Sequence, residues 1–177
     1  VNESIEVLQG GGPSDVRELT IELAARLLLS TKREIQLDDA RSRLGKLIDS
    51  GSAMERFERM IHAQGGLLTA LRHAGRSRPF VAKSAGFVQV IDGQLLGQAM
   101  IAMGGGRKIA GQAIDFSVGL QMHCKIGQAV TADQPILSIQ CDDEPKSQVA
   151  MLLVEQAVTI SNEPSIRPQL WREFSAM

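Results

Sequence analysis

The chain has 177 residues, a formal net charge of −1 and 44% hydrophobic residues. This length allows one ordinary domain or two small ones, and the apolar fraction suffices for a packed core, which argues against wholesale disorder. The near-neutral charge argues against general binding to nucleic acid, and no apolar run is long enough to span a bilayer, so neither nucleic acid nor a membrane is expected as a partner.

Helical periodicity dominates the first part of the chain. Val1 to Gln9 predicts the end of a helix, which the run Gly10 to Pro13 interrupts. We interpret this glycine run as a linker, with a phosphate-binding loop as the alternative, although no Gly-Lys-Ser/Thr follows it. The next predicted helix, Ser14 to Leu29, is apolar on two faces and therefore needs partners on both. If one face stays uncovered, an exposed apolar patch is expected among Leu19, Leu23, Leu27, Ile21 and Leu28.

Two more helices and a basic connection follow. The first helix begins at Asp38 and is closed by Gly51, and the second runs from Ser52 to the Gly65-Gly66 pair. His62 lies beside an apolar stripe and is interpreted as a boundary side chain, because no Cys or second His lies at metal-ligand spacing. The connection up to residue 78 is interpreted as a solvated linker, with a phosphate-attracting patch as the alternative. Its basic residues are Arg72, His73, Arg76 and Arg78.

The hydrophobic period changes from helical to alternating after this connection. We therefore predict a helical segment over residues 1–78 and a separate domain over residues 79–177, within an α+β fold. Strands are predicted at Phe80 to Lys83, Gly86 to Ile91, Leu120 to Ile126, Ile136 to Cys141 and Val158 to Ile160. A helix from Leu95 to Met103 should end at Gly104, because glycine accepts the left-handed conformation.

The most distinctive stretch is AMGGGRK, from Ala102 to Lys108. A glycine run at a helix end followed by two cations suits a mobile loop that closes over an anionic substrate. The candidate site residues are therefore Gly104, Gly105, Gly106, Arg107 and Lys108, placed at the edge of a substrate cleft. A helix cap followed by a plain turn is the alternative.

Other polar residues are given structural roles. Asp142, Asp143 and Glu144 precede Pro145, which is typical of a helix N-terminus, while a catalytic carboxylate pair is the alternative. His123 and Cys124 are neighbours on a predicted strand, so their side chains should diverge and should not share a metal or act as a Cys-His pair. No metal site is predicted. Cys124 and Cys141 are expected to be buried, reduced thiols in a cytoplasmic protein.

Two stretches are similar to the hammerhead, or barrel-sandwich, fold of biotinyl and lipoyl carrier domains. These are GFVQVID and KIGQAVTADQPILSI, each a strand pattern beside a glycine turn. Carrier domains present a modified lysine at a hairpin tip, commonly next to Met. Lys125 stands beside the glycine turn without such a Met, so the fold is expected without the carrier function.

A second resemblance covers nearly the whole chain. The words that carry it are VNESIEVLQGGGPSDVRELT, GSAMERFERMIHAQGG, SAGFVQVID, AMGGGRK, AIDFSVG and KIGQAV, in that order. They resemble the C-terminal part of the pyrimidine nucleoside phosphorylase family, which includes the thymidine phosphorylases. The resemblance implies that the N-terminal helices belong to a large α/β domain, followed by the hammerhead-like C-terminal domain.

The resemblance also implies a chemistry. Members of the family are pentosyltransferases that convert thymidine and phosphate to thymine and 2-deoxyribose 1-phosphate, as homodimers and without a metal or organic cofactor. Their phosphate site resembles K-x-S-x-G-G-V-G-D, a word that this sequence lacks. We therefore expect the catalytic residues upstream of Val1 and assign none here. A non-catalytic hammerhead module for binding or dimerisation is the alternative.

Overall fold

The computed structural model describes residues 2–34, 36–68 and 74–171. Contacts divide the chain into two compact units, Val1–Ala70 with Gln169–Met177, and Leu71–Pro168. Helices alone make up the regular structure of the described part of the first unit, whereas the second combines helices with antiparallel sheets. The expected α+β class is confirmed, while the boundary between residues 78 and 79 stays a prediction.

The described residues of the first unit form four helices. They are α1 (Asn2–Leu8), α2 (Ser14–Ser30), α3 (Leu37–Asp49) and α4 (Ser52–Ala63). α2 packs on α3 around Ala25 and Ala40, which are both fully buried, and these small side chains let the two backbones approach closely. α3 and α4 are joined by Gly51, whose φ of 76° is the left-handed conformation that glycine accepts at a helix end.

In the second unit, the part that the structure describes folds into six strands and two helices. They are β1 (Ser77–Val81), β2 (Gly86–Ile91), α5 (Gly93–Met103), β3 (Gly119–Met122), β4 (Ala129–Val130), β5 (Pro135–Gln140), α6 (Glu144–Ala157) and β6 (Val158–Ser161). The strands form two antiparallel sheets of three strands, in the orders β1-β5-β3 and β4-β2-β6. α5 and α6 pack against each other.

Strand β5 lies at the centre of this unit. Ile136 packs into a cluster with Val88 of β2, whereas Leu137 and Ile139 pack with Met103 of α5 and with α6. Four consecutive residues of β5 are buried, so both faces of the strand are covered. The two helices and both sheets therefore share a core built around this one strand.

Two strands depart from their predicted bounds by more than one residue. β3 ends at Met122 rather than Ile126, because the amides of His123 and Cys124 both donate to the Ile136 carbonyl, at 2.9 and 3.1 Å. Two consecutive residues that lie opposite one residue of the partner strand interrupt the regular hydrogen-bond ladder, as in a β-bulge. The first strand begins at Ser77 rather than Phe80, and the two-residue strand β4 was not predicted.

Candidate functional site

The candidate loop begins where α5 ends. Asp92 caps the start of this helix, and its Oδ1 accepts hydrogen bonds from the amides of Gln94 (2.8 Å) and Leu95 (3.1 Å). Gly104 ends the helix with a φ of 104°, and its amide donates to the Ile101 carbonyl at 3.1 Å. The predicted role of Gly104 as the helix cap is thereby confirmed, since a side chain at this φ would be strained.

The other two glycines of the run are packed tightly against the last turn of α5. A Cβ on Gly105 would lie 2.6 Å from the Met100 methyl carbon, and one on Gly106 would lie 2.8 Å from a side-chain carbon of Ile101. The Gly105 amide donates to the Met100 carbonyl at 2.9 Å. Capping and close packing therefore account for all three glycines, and Arg107 and Lys108 supply the charged side chains of this run.

The two cations follow on the exposed part of the loop. Arg107 and Lys108 are both exposed, and Ile109 next to them is 72% exposed. The Lys108 amide donates to Oε1 of Gln112 at 2.9 Å. The loop thus presents two positive charges and one apolar side chain from a backbone that is tied to its own neighbours.

The acidic cluster caps a helix, as predicted. Asp143 accepts a hydrogen bond from the Lys146 amide at 3.1 Å, and its carboxylate also pairs with the Lys146 ammonium at 3.0 Å. The bond from the backbone amide and that from the ammonium hold the pKa of Asp143 below its ordinary value, and the side-chain bond with Asp143 raises the pKa of Lys146. Asp142 and Glu144 are also engaged, so a catalytic carboxylate pair finds no support.

The same acids neutralise part of the predicted basic patch. Nε of the Arg76 guanidinium lies 3.7 Å from Oδ1 of Asp142, and the Arg78 guanidinium pairs with the Glu144 carboxylate. Arg72 and His73, the other basic residues of the connection, lie outside the described residues. Two of the four cations are therefore occupied within the fold, which favours the linker interpretation over a phosphate-attracting patch.

His123 and Cys124 diverge, although not for the predicted reason. They lie beyond the end of β3; His123 is exposed and its Nε2 lies 2.8 Å from Oγ of Ser138, whereas Cys124 is buried. Burial raises the pKa of the Cys124 thiol, which suppresses the reactive thiolate. Cys124 and Cys141 are both free and buried, as expected. Nowhere in the described part of the chain do three or more His, Cys, Asp or Glu side chains form a potential metal site.

The first glycine run closes α1. The amides of Gly10 and Gly11 donate to the carbonyls of Val7 and Glu6, at 3.0 and 2.9 Å. A Cβ on Gly12 would lie 2.9 Å from a methyl carbon of Val7. Because these amides cap a helix, the linker interpretation is favoured over a phosphate loop. His62 is exposed in the last turn of α4 and belongs to no potential metal site among the described residues.

Sequence reasoning missed a charged cluster between α2 and α3. Glu22 is 2% exposed, and its two carboxylate oxygens accept hydrogen bonds from Nε of Arg26 and Nε of Arg41, each at 2.7 Å. The hydrogen bond from Arg41 is the largest influence that holds the pKa of Glu22 below its ordinary value. The Glu22–Arg26 spacing was a visible signal, since residues four apart face each other on a helix.

The first unit also has an open cavity of about 460 Å³ that none of the predicted site residues lines. It is lined by Leu8, Gln9, Ile48, Asp49, Ser50, Gly51, Met54, Glu55 and Glu58. The expected exposed apolar side chains lie on α2, where Leu23 and Leu27 are 59% and 64% exposed. Leu19, Ile21 and Leu28 are half-buried. Within the described ranges, no helix has both the length and the apolar composition that crossing a bilayer requires.

Comparison with known proteins bears on the second unit and on the chain as a whole. Residues 87–161 match the sequence model of the pyrimidine nucleoside phosphorylase C-terminal domain. Thymidine phosphorylases from Burkholderia lata and Burkholderia orbicola are each 35% identical to this chain, over 97% of its length. The chain spans 41% of the length of each of these relatives. Residues 87–161 are thus similar to the pyrimidine nucleoside phosphorylase C-terminal domain, and the resemblance of the chain to the C-terminal part of this family is confirmed.

Proposed function

We propose that this chain is the C-terminal part of a pyrimidine nucleoside phosphorylase, a pentosyltransferase that converts thymidine and phosphate to thymine and 2-deoxyribose 1-phosphate. The observation that carries the proposal is the 35% identity to thymidine phosphorylases over 97% of the chain. In the proposed reaction, a phosphate oxygen bonds to the anomeric carbon of the sugar while the carbon–nitrogen bond to the base breaks. The base leaves with the bonding electrons, so positioned charges and hydrogen bonds are what the protein supplies.

The catalytic residues belong, in this proposal, to the part of the relatives that the chain does not span. The helical unit is then a portion of the large α/β domain, and the second unit is the hammerhead-like C-terminal domain. The exposed apolar face of α2 supports this division, because Leu23 and Leu27 together form a surface suited to packing against further protein.

The loop from Gly104 to Lys108 lies, in this proposal, at the edge of the substrate cleft. Arg107 and Lys108 are exposed on a backbone whose preceding glycines are fixed by packing, so their charges are held at a defined place. Two exposed cations attract a phosphate and favour its approach. The two residues would therefore increase the local concentration of the anionic substrate rather than take part in bond breaking.

The remaining features follow from the family resemblance. The enzyme is a homodimer that needs no metal or organic cofactor, and phosphate is its co-substrate. Its compartment is the cytoplasm, which is consistent with two buried cysteines that are not joined in a disulfide. Sedimentation of the complete polypeptide tests whether it is a homodimer. Activity measured with and without a chelator tests whether it needs a metal.

The decisive experiment compares the complete polypeptide that carries this chain with the isolated 177 residues. We expect phosphate-dependent release of thymine from thymidine by the complete polypeptide and none above background by the isolated chain. Arg107→Ala should lower activity with little loss of stability, whereas Arg56→Ala, which removes an exposed arginine from α4, should not. A complete polypeptide that releases no thymine would instead favour a non-catalytic binding or dimerisation module.

A further inference from the structure

We infer that Gln112 is a positioning residue that fixes Arg107 and Lys108 in the orientation in which they meet the phosphate group of the substrate. The inference rests on the proposed function and adds to it a residue outside the stretch from Gly104 to Lys108. Gln112 is half-buried, whereas residues 107–111 before it are exposed. Its side chain therefore lies on the inner side of the loop that carries the two cations.

The loop is closed at its base. The Gly104 carbonyl accepts a hydrogen bond from the Asp115 amide at 2.9 Å, so the two ends of the segment 104–115 lie side by side. Asp115 is itself fixed, because its Oδ1 accepts hydrogen bonds from the amide (2.9 Å) and hydroxyl (2.6 Å) of Ser117. A segment of this size with adjoining ends is an Ω-loop, a class of about 6–16 residues that is frequently functional.

A second closure lies within the loop, directly behind the cations. The side-chain Oε1 of Gln112 accepts the hydrogen bond from the Lys108 backbone amide at 2.9 Å. The backbone amide of Gln112 donates to the Ile109 carbonyl at 3.3 Å. Gly111 permits this turn with a φ of 81°. The backbone from Lys108 to Gln112 therefore forms a small ring that the Gln112 side chain holds closed.

This ring determines how much order the cations have before they meet an anion. Without the bond to Gln112, the exposed backbone of Lys108 and Ile109 would sample more conformations and would lose them on binding. A group held in its bound orientation in advance avoids that loss and binds more tightly. Removal of the Gln112 side chain should therefore weaken the interaction with phosphate while it leaves the nucleoside interaction intact.

The chain offers a matched control for this bond. In the turn after β3, Oε1 of Gln128 accepts a hydrogen bond from the Lys125 amide at 3.2 Å. The bond type and the residue types are the same, and the sequence separation is three residues instead of four, but the loop is another one. Gln128→Ala thus reproduces the local structural damage of Gln112→Ala without touching the loop of the two cations.

The test is steady-state kinetics of the complete polypeptide with phosphate and thymidine varied separately. Gln112→Ala should raise KM for phosphate by about threefold to tenfold, the size of one lost hydrogen bond, and leave KM for thymidine unchanged. Gln128→Ala should change neither. In an Arg107→Ala/Lys108→Ala background, which keeps the Lys108 amide, Gln112→Ala should add no further effect, because Gln112 acts only through these cations.

A second measurement uses the 177-residue chain itself. Hydrogen exchange at the Lys108 amide should become faster in Gln112→Ala and stay unchanged in Gln128→Ala. An unchanged exchange rate, an unchanged KM for phosphate, or an effect that persists in the doubly substituted background would each overturn the inference. Absence of phosphorolysis by the unsubstituted polypeptide would overturn the proposed function instead, so the two failures are distinguishable.

Discussion

Replacement of Glu22 by glutamine tests whether a charged cluster holds α2 and α3 together. The Glu22 carboxylate accepts hydrogen bonds from Arg26 on its own helix and from Arg41 on α3. Arg41 donates in addition to Asp38, at 2.8 Å, so the carboxylate joins two helices through one shared guanidinium. Glu22→Gln keeps the size of the side chain and one acceptor, but it removes the charge and one of the two acceptor oxygens.

The expected loss follows from the exposure of the partners. Glu22 is covered, but the Arg26 and Arg41 side chains are 41% and 36% exposed, so water can replace the lost acceptor. The free energy of unfolding should therefore fall by about 1–2 kcal/mol, as for a lost hydrogen bond to a charged group. The loss of about 3–5 kcal/mol that follows breakage of a fully buried ion pair is not expected.

The sign of the pH dependence follows from the lowered pKa of Glu22 in the folded state. The stabilisation is complete above the ordinary glutamate pKa of about 4.3 and is lost as the pH falls through the lower, folded-state value. Urea unfolding followed by helical circular dichroism, at neutral and at acidic pH, measures both effects. Glu18→Gln, an exposed carboxylate on the same helix, is the control. A loss no larger than that of Glu18→Gln would refute the role of the cluster.

Four further substitutions test the packing around the proposed site and the apolar patch on α2. Gly105→Ala should lower the free energy of unfolding by about 1–3 kcal/mol, because its Cβ would lie 2.6 Å from the Met100 methyl carbon. Gly97→Ala, within α5 and with no atom within 4 Å of the new Cβ, should raise the free energy of unfolding by about 0.5–1 kcal/mol. Asp143→Ala should lower the melting temperature, because α6 loses its cap. Leu27→Lys should reduce the binding of a hydrophobic dye at unchanged melting temperature, and undiminished dye binding would place the apolar patch elsewhere.

Local patterns predicted those elements whose limits are set by neighbouring residues in the sequence. Strand β2 has the predicted bounds, Gly86–Ile91, and α5 ends at Gly104 as expected. The end of β3 was wrong, because alternation continues to Ile126 while the ladder stops where two amides share the Ile136 carbonyl. That limit is set by the partner strand, which lies a turn away in sequence and is not visible in the alternation.

The same distinction applies to the polar residues. The cap formed by Asp143 was predictable, since acid before proline at a helix start is a local signal. The pairing of Arg76 and Arg78 with acids 66 residues further along was not, and it changes the interpretation of the basic connection. Glu22 was missed for a similar reason, because its partner Arg41 lies on another helix, 19 residues away.

The packing of the glycine run changes what closure over a substrate would involve. Glycines next to two cations suggested a hinge, yet Gly105 and Gly106 lie against α5 side chains at distances that leave no room for a methyl group. Backbone rotation at either residue would break these contacts and the amide bond to the Met100 carbonyl. We therefore expect the backbone of Arg107 and Lys108 to approach a phosphate together with α5, rather than through rotation at these two glycines. Closure of that kind makes the rigidity of the loop part of its function, because the charges arrive already oriented.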